Sequence, residues 1–331
     1  MQHNDRVIRA LALWFFLVLL AVAATWVVIV LVNKYVYGPE TTIRAYFAHM
    51  KNGDGSRALG AINADIPDGT NAALLDGAPL RSATETLDDV QISTVSQDAH
   101  SAVVRAEYTL DGDRQSAEYT LHSTETPWGV FTTWDAERTV LPTLTTSIPG
   151  ATAVKINGVT ADLHDSRQEF AAFGPGVYSV SSGSDYLQTD THSVSFTTPG
   201  QKETVTLDAM PSQTMEEQIS QLIADDLTTC TEHKTLYPPD CPFFYDFDGR
   251  VQGTPTWEIV EQPQPTLSFN PKNTDDQDPT WSLSPAEAVA QISFTSVDLY
   301  DGSTEEVIER VPFTYEAQIM VTSEEKVAVS R

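Results

Sequence analysis

The chain has 331 residues, and its 46 acidic and 19 basic side chains give it a formal net charge of −27 at pH 7. This surplus of carboxylates argues against nucleic-acid binding, which needs a basic face to neutralise phosphates, and against docking flat on an anionic lipid surface. It favours a positively charged ligand or partner, or divalent cations, although an acidic surface also simply keeps an exported domain soluble.

The first predicted element is a transmembrane helix over residues 10–32, the uncharged apolar run ALALWFFLVLLAVAATWVVIVLV. A helix of this length extends about 34 Å, enough to cross a hydrocarbon core of about 30 Å. A cleaved signal peptide is the alternative, because Ala21-Val22-Ala23 has the small residues of a cleavage site. The apolar run continues beyond that site, which favours an uncleaved anchor in contact with membrane lipid.

The charges on either side of this helix predict its orientation. Arg6 and Arg9 lie before it, and Lys34 alone follows it closely. The positive-inside rule therefore places the tail of residues 1–9 in the cytosol. Everything after the helix, beginning with a spacer at residues 33–40, is then extracellular, and its length predicts two or three domains.

Residues 41–142 form the first predicted extracellular domain, in which helices come before strands. An amphipathic helix with Thr41 or Thr42 as its N-cap carries apolar residues at i, i+3, i+4 and i+7. These apolar residues are Ile43, Tyr46, Phe47 and Met50. The sequence NGDG ends the helix, and a short helical piece at 56–62 and a loose polar stretch through Ala83 follow.

Strand-like runs with a period of two come next in this domain. They lie at residues 90–96, 101–110, 114–123 and 128–134. Asp111-Gly112-Asp113, between the middle pair, is a hairpin signal. Helices followed by a meander of strands are typical of an α+β fold in which one curved sheet wraps a helix.

The opening RAYFAHMKNGDGSRAL and the strands that end in the W-x-V-x-x-x-W run from Trp128 to Trp134 resemble the NTF2-like (cystatin-like) fold. The resemblance implies a cone-shaped pocket between helix and sheet. Tyr46 and His49, at positions i and i+3 of the helix, are the candidate pocket residues, although His49 also fits a surface or core-edge position.

Catalysis in such a cone needs a carboxylate and a tyrosine or histidine that point into the pocket. Glu107 and Glu118, both in the predicted strands, are the candidate carboxylates. Because the pattern does not establish which of these side chains face inward, no catalytic residue is predicted.

Residues 150–210 form a predicted small β-sandwich module. Asn157-Gly158 and Pro175-Gly176 predict tight hairpin turns, and Tyr178 and Val180 alternate into a core. The module is expected to fold separately from the domain before it.

The NG…PG-x-Y pattern in VKINGVTADL and FAAFGPGVYSV resembles modules of Gram-positive single-pass envelope proteins, such as the teicoplanin-resistance-associated membrane protein family. It resembles the PEGA β modules more loosely. The resemblance implies an N-terminal anchor that carries small β and NTF2-like units in tandem outside the cell.

Residues 212–331 form the last predicted unit, an α+β domain that begins with a helix from Ser212. The run from Thr214 to Glu217 fits a capping box. The apolar stripe of the helix consists of Met215, Ile219, Leu222, Ile223 and Leu227 and leads into Cys230. Strand-like runs follow to the end of the chain, and Asp301-Gly302 turns the long hairpin among them.

The two cysteines of the chain, Cys230 and Cys241, lie in CTEHKTLYPPDCPFF. A metal site, a redox pair and a disulfide are the alternatives for this stretch. A zinc site would need more ligands, since His233 is the one imidazole nearby and the C-x-x-C spacing is absent. In an oxidising compartment the pair should be bonded, so a disulfide is predicted. The C…P-x-x-C-P-F pattern is similar to that of exported actinobacterial proteins with the same single-pass layout.

No catalytic, metal-binding or cofactor-binding motif emerges from the sequence. The seven histidines form no H-x-H or H-E-x-x-H arrangement, and no G-x-S-x-G elbow or phosphate-binding glycine loop is present. The acidic runs at 246–249 and 275–278 lack EF-hand spacing and are interpreted as solvated turns.

The expected function is therefore that of a membrane-anchored extracellular binding or scaffold protein of the cell envelope. It is expected to have no enzymatic activity and no cofactor, and to bind an envelope protein or a wall component. The alternative is an NTF2-like ectodomain that binds or converts a small apolar ligand in its cone.

Overall fold

The computed structural model of the protein describes residues 2–35, 37–125, 132–270, 280–321 and 327–330. Strands predominate over helices, and the chain divides into two compact units. Unit 1 consists of Met1–Ser147, Lys155–Val180 and Thr191–Thr206. Unit 2 consists of Ile148–Val154, Ser181–Asp190 and Leu207–Arg331. Each unit is thus assembled from three separate segments of the chain.

Helix α1 (Gln2–Tyr35) contains the predicted apolar segment. Its part Leu13–Val32 has a mean hydropathy of 3.0 and is not buried in the protein, so it is long and apolar enough to cross a membrane. The Thr25 hydroxyl donates to the carbonyl of Ala21 at 2.9 Å, which satisfies this polar group within the helix. The apolar helix is confirmed, and a signal sequence near the N-terminus would share its length and composition.

Helix α2 (Pro39–Asn52) buries the predicted apolar stripe. It begins after Gly38, so the prediction of an N-cap at Thr41 or Thr42 is wrong. The first residue of the helix is a proline, whose φ is already helical and whose missing N–H would have no partner in the first turn. The helix ends at Gly53, which has a φ of +71°, as the NGDG sequence predicts.

Two short helices follow, α3 (Gly55–Ala61) and α4 (Gly77–Ala83). The first confirms the helical piece predicted at 56–62. The second lies in the stretch predicted to be loose and polar, and this is a correction. The buried leucines of this stretch are Leu74, Leu75 and Leu80. Three leucines are too few to show a helical period, so the sequence alone does not predict this helix.

A four-stranded antiparallel sheet packs against α2. The first five strands of the chain are β1 (Ala64–Asp65), β2 (Leu87–Gln97), β3 (Ser101–Leu110), β4 (Asp113–Glu125) and β5 (Thr132–Ala136). The sheet has the order β2-β3-β4-β5, so the predicted meander is confirmed. Asp111 and Gly112 turn the β3–β4 hairpin with φ angles of 52° and 87°. Part of the last predicted strand, residues 128–131, lies outside the described residues.

Two further sheets of three and four strands lie mainly in unit 1, beside a two-stranded pairing of β1 with the strand at Thr139–Val140. The next strands are β6 (Thr139–Val140), β7 (Thr143–Ser147), β8 (Ala153–Ile156), β9 (Val159–Asp162), β10 (Arg167–Ala171), β11 (Gly176–Ser181), β12 (Leu187–Gln188), β13 (His192–Phe196) and β14 (Lys202–Thr206). One sheet has the order β10-β7-β14 and the other β13-β11-β8-β9. The predicted Asn157-Gly158 turn joins β8 to β9, with both residues at positive φ. Tyr178 and Val180 are buried as predicted.

The turn at Pro175-Gly176 differs from its prediction. It joins β10 to β11, which belong to different sheets, so it does not form a hairpin. The Tyr178 hydroxyl closes this turn, because it accepts the Phe173 N–H at 2.9 Å and donates to the Phe173 carbonyl at 3.0 Å. The side chain that the alternation pattern placed in a core therefore also satisfies the backbone of the turn.

The structure also divides residues 150–210 differently from the prediction. Ala171 and Phe173 belong to the same hydrophobic core as α2 and β3. The Tyr46 hydroxyl donates to the Gly174 carbonyl at 2.7 Å. Most of this region thus belongs to unit 1, and part of it joins the core around α2. Spacing within the region itself does not reveal such distant partners.

Unit 2, in its described residues, is built on a helix, two antiparallel sheets of three and four strands, and a short two-stranded antiparallel sheet. Its elements beyond β12 are β15 (Met210–Pro211), α5 (Gln213–Thr231), β16 (Arg250–Glu261), β17 (Leu267–Asn270), β18 (Thr280–Leu283), β19 (Ala286–Val297), β20 (Thr304–Tyr315), β21 (Gln318–Val321) and β22 (Val327–Ser330). The sheet orders are β16-β19-β20 and β17-β18-β21-β22. Asp301-Gly302 lies in the turn between β19 and β20, as predicted.

Helix α5 buries Met215, Ile219, Ile223 and Leu227 of the predicted apolar stripe in the core of unit 2, whereas Leu222 is half-buried and lies outside that core. Its N-cap is Ser212, whose hydroxyl accepts the Met215 N–H at 3.1 Å, so the capping box predicted at Thr214 lies two residues too far along. The helix ends just after Cys230, which is bonded to Cys241. The predicted disulfide is thereby confirmed.

Candidate functional site

Tyr46, the first candidate pocket residue, belongs to the hydrophobic core. Its side chain is 1% exposed, and its ring contacts Phe47, Tyr119 and Phe173 edge-on, with centroids 5.5–6.1 Å apart. Burial raises the pKa of Tyr46 well above its ordinary value, so the phenol stays neutral. The hydroxyl is already committed to the Gly174 carbonyl.

The other candidates for the cone do not join Tyr46. His49 is half-buried on the last turn of α2. Glu107 and Glu118 are exposed, because the alternate residues of their strands are the buried ones. Glu118 instead pairs with Arg105 across the β3–β4 ladder at 2.6 Å. The face of the sheet that packs against α2 is therefore filled by aromatic side chains, and the candidate carboxylates lie on the opposite face of the sheet.

A surface cleft of about 520 Å³ lies elsewhere in unit 1. Its lining combines the charged side chains of Glu118, Glu137 and Arg138 with apolar side chains such as Ala136 and Val140. Arg138 forms an ion pair with an exposed aspartate of β1. Within the cleft the Thr139 hydroxyl donates to the backbone carbonyl of Glu137 at 3.0 Å and not to a carboxylate.

The acidic turns considered for calcium do not assemble a site in the described part of the chain. No group of three or more histidine, cysteine or acidic side chains converges there as metal ligands would. Asp246 accepts a hydrogen bond from the Tyr237 hydroxyl at 2.5 Å. Residues 275–278 lie outside the described residues, and His233 is half-buried in the disulfide loop.

That hydrogen bond belongs to an unusual surface, an exposed pair of aromatic rings. The rings of Tyr237 and Phe244 are nearly parallel, at 14°, with centroids 5.8 Å apart. The two side chains are 52% and 60% exposed. We call Tyr237, Phe244 and Asp246 the aromatic platform.

The sequence CPFFYDF explains why Phe244 and Asp246 face outward. Phe243 is buried against Trp257 and Phe313, with ring centroids 4.8 and 5.2 Å away. In an extended segment successive side chains point to opposite sides, so the residues that alternate with Phe243 face solvent. Tyr245 and Phe247, on the same side as Phe243, are half-buried in the core of unit 2.

The loop that carries Tyr237 is tied down at several points. The disulfide closes it, the Tyr245 N–H donates to the Leu236 carbonyl at 2.9 Å, and Trp257 Nε1 donates to the Thr235 carbonyl at 2.8 Å. Tyr237 therefore reaches Phe244 from a constrained backbone. Rings held this way lose little conformational entropy when a ligand covers them.

Negative charge surrounds the phenol of the platform. The hydrogen bond to Asp246 raises the pKa of Tyr237, and the charges of Asp246 and Asp248 raise this pKa further. The hydroxyl is thus held as a donor, while the carboxylate of Asp246 keeps its second oxygen for other donors. The arrangement offers aromatic faces and hydrogen-bond acceptors, which serve binding.

The sequence analysis predicted the disulfide but missed the aromatic platform on the loop that the disulfide closes. The available signal is the alternation in CPFFYDFD, which places an aromatic residue on the polar side of an extended segment. No family model, curated protein or solved structure matches the chain. The candidate site is therefore defined by its residues and geometry.

Proposed function

We propose that this chain is a membrane-anchored extracellular binding protein of the cell envelope, without enzymatic activity, and that the aromatic platform is its contact surface. The exposed, parallel pair of Tyr237 and Phe244 on a disulfide-tied loop carries this proposal. Aromatic side chains of this size contribute strongly to stability when buried, and rigid exposed rings are typical anchors of protein interfaces.

The anchor and the compartment belong to the same proposal. The apolar helix α1 and the Cys230–Cys241 disulfide support an orientation with the N-terminus in the cytosol and both units outside. Helix α2 against an antiparallel four-stranded meander supports an NTF2-like fold for residues 41–142. The aromatic filling around Tyr46 disfavours the alternative of a small apolar ligand in the cone.

Site-specific crosslinking in living cells tests the binding function. A photoreactive p-benzoylphenylalanine at position 244 should yield a discrete covalent adduct with an envelope protein or a wall component. The same residue at position 300 is the matched control, since Tyr300 is 99% exposed in the same unit and no ring of the described residues stacks on it. Identical adducts from both positions, or none from position 244, would contradict the proposal.

A further inference from the structure

We propose that the aromatic platform binds a cationic side chain, the guanidinium or ammonium group of a basic segment in a partner protein. This inference rests on the proposed binding function and names the chemistry of the partner. It follows from the ring faces, the adjacent carboxylates and the charge of the surrounding chain.

The ring faces supply the first part of such a site. A cation within about 6 Å of an aromatic centroid is attracted by the negative face of the ring. Tyr237 and Phe244 lie parallel and are each more than half exposed, so the pair presents open ring surface to solvent. A planar guanidinium can stack on such a surface while its N–H groups point to the side.

Carboxylates at the edge of the rings supply the second part. Asp246 and Asp248 are exposed and alternate with half-buried Phe247, which places both on the solvent side of the segment. Asp246 uses one oxygen for the Tyr237 hydroxyl. Neither carboxylate forms an ion pair within the described residues, so both are available to an incoming cation.

The charge of the surrounding chain favours a cation over a neutral ligand. Leu207–Arg331 contains 23 acidic and 6 basic side chains, a formal net charge of −17. Such a surplus raises the local concentration of cations and speeds their association. A neutral glycan could also stack on the rings, but it would gain nothing from this field, so the cationic partner is favoured.

The experiment uses the full chain in nanodiscs of neutral phosphatidylcholine at about 150 mM salt, where longer-range attraction is screened. The probes are the peptide acetyl-Gly-Arg-Gly-Arg-Gly-amide, the same peptide with citrulline in place of both arginines, and a neutral N-acetylglucosamine tetramer. Citrulline keeps the shape of arginine but lacks its charge. Affinity for each probe is measured by calorimetric titration.

The variants are Phe244→Ser and Asp246→Asn, with Tyr300→Ser and Asp301→Asn as matched controls in the β19–β20 turn. We expect the arginine peptide to bind, and the citrulline peptide to bind about three- to tenfold more weakly. Each platform variant should lose a similar factor, whereas the control variants should stay within about twofold of the wild type. Hydrogen exchange measured on peptides that cover Trp257 checks that the core beneath the platform is intact.

Equal loss in the platform and control variants would overturn the proposal, because general attraction to an acidic chain would then explain the binding. Failure of the wild type to bind the arginine peptide would overturn it as well. If the glycan binds instead and Phe244→Ser abolishes that binding, the cationic partner is wrong while the proposed binding function survives. If position 244 gave no specific adduct in cells, the proposed binding function itself would be wrong.

Discussion

Gly55 and Gly60 lie in the same short helix and have opposite surroundings. A Cβ atom on Gly55 would lie 1.8 Å from the Leu75 carbonyl oxygen, so the backbone just before α4 approaches too closely for any side chain. The Gly55 N–H also donates to Asp76 at 2.8 Å, which holds the two segments together. A Cβ atom on Gly60 would meet no atom within 4 Å.

We therefore expect Gly55→Ala to lower the free energy of unfolding by about 1–3 kcal/mol, because the Leu75 backbone must shift. Gly60→Ala should raise it by up to about 1 kcal/mol, since alanine favours a helix more than glycine does. Hydrogen exchange of the full chain, measured on peptides that cover residues 55–61 and 72–80, would detect both changes. Equal exchange in the two variants would show that the close approach at Gly55 is unimportant.

Helix α2 and strands β3 and β4 each contribute a tyrosine to one core. These residues are Tyr46, Tyr108 and Tyr119. Burial raises the pKa of Tyr108 to about 12 and raises the pKa of the other two as well. The packing of the helix on the sheet therefore depends on phenols that stay protonated.

This packing predicts alkaline unfolding of unit 1. An unfolded tyrosine has a pKa of about 10, so above that pH the folded state retains protons that the unfolded state loses. The stability contributed by these phenols is fully present below about pH 10 and falls as the pH rises through the folded pKa values. Absorbance at 295 nm should show the buried phenols ionising together with the loss of the far-ultraviolet circular dichroism of the sheet.

The matched variant for this measurement is Tyr108→Phe. It removes one of the titrating groups together with a 3.2 Å hydrogen bond to the Thr197 carbonyl. Its stability should therefore be lower at neutral pH but should fall less steeply above pH 10. If every tyrosine ionised near pH 10 while the sheet signal stayed constant, the aromatic core would not be as the structure describes it.

Taken over its full length, the chain combines an apolar helix near the N-terminus with two units of net negative charge. Most of the surplus lies in unit 2, which has 25 acidic and 6 basic side chains against 21 and 13 in unit 1. Both units draw on the region of residues 150–210, since Ile148–Val154 and Ser181–Asp190 belong to unit 2 while the rest up to Thr206 belongs to unit 1. A boundary placed near residue 150 or 210 would therefore separate segments that share a core. The units are better described by their cores than by consecutive stretches of sequence.

The proposed orientation predicts protease sensitivity from outside. Proteinase K added to wall-stripped intact cells should remove a C-terminal epitope tag, while a cytosolic marker protein stays intact. Replacing Arg6 and Arg9 with glutamate should increase the protected fraction, because the basic side chains that retain the N-terminus would be gone. If the tag stayed protected in wild-type cells until lysis, the orientation would be the opposite of the proposed one.

Local patterns account for what was predictable here. The stripes of α2 and α5, the alternation along β3 and β4, and the Asp111-Gly112 turn all involve residues a few positions apart, where helix and strand geometry restricts the choices. The disulfide was predictable because two cysteines allow one pairing. Missed elements such as α4 have too few apolar residues to show a period.

The remaining features depend on residues that are distant along the chain. Tyr46 meets Gly174 across a separation of 128 residues, and this contact turns a candidate pocket residue into part of a core. Tyr237 reaches Phe244 only because the core holds Phe243 and Trp257 beneath them. Periodicity indicates which side of a helix or strand a residue occupies. The residue that it contacts on that side depends on the path of the whole chain, and the same local pattern is compatible with many such paths.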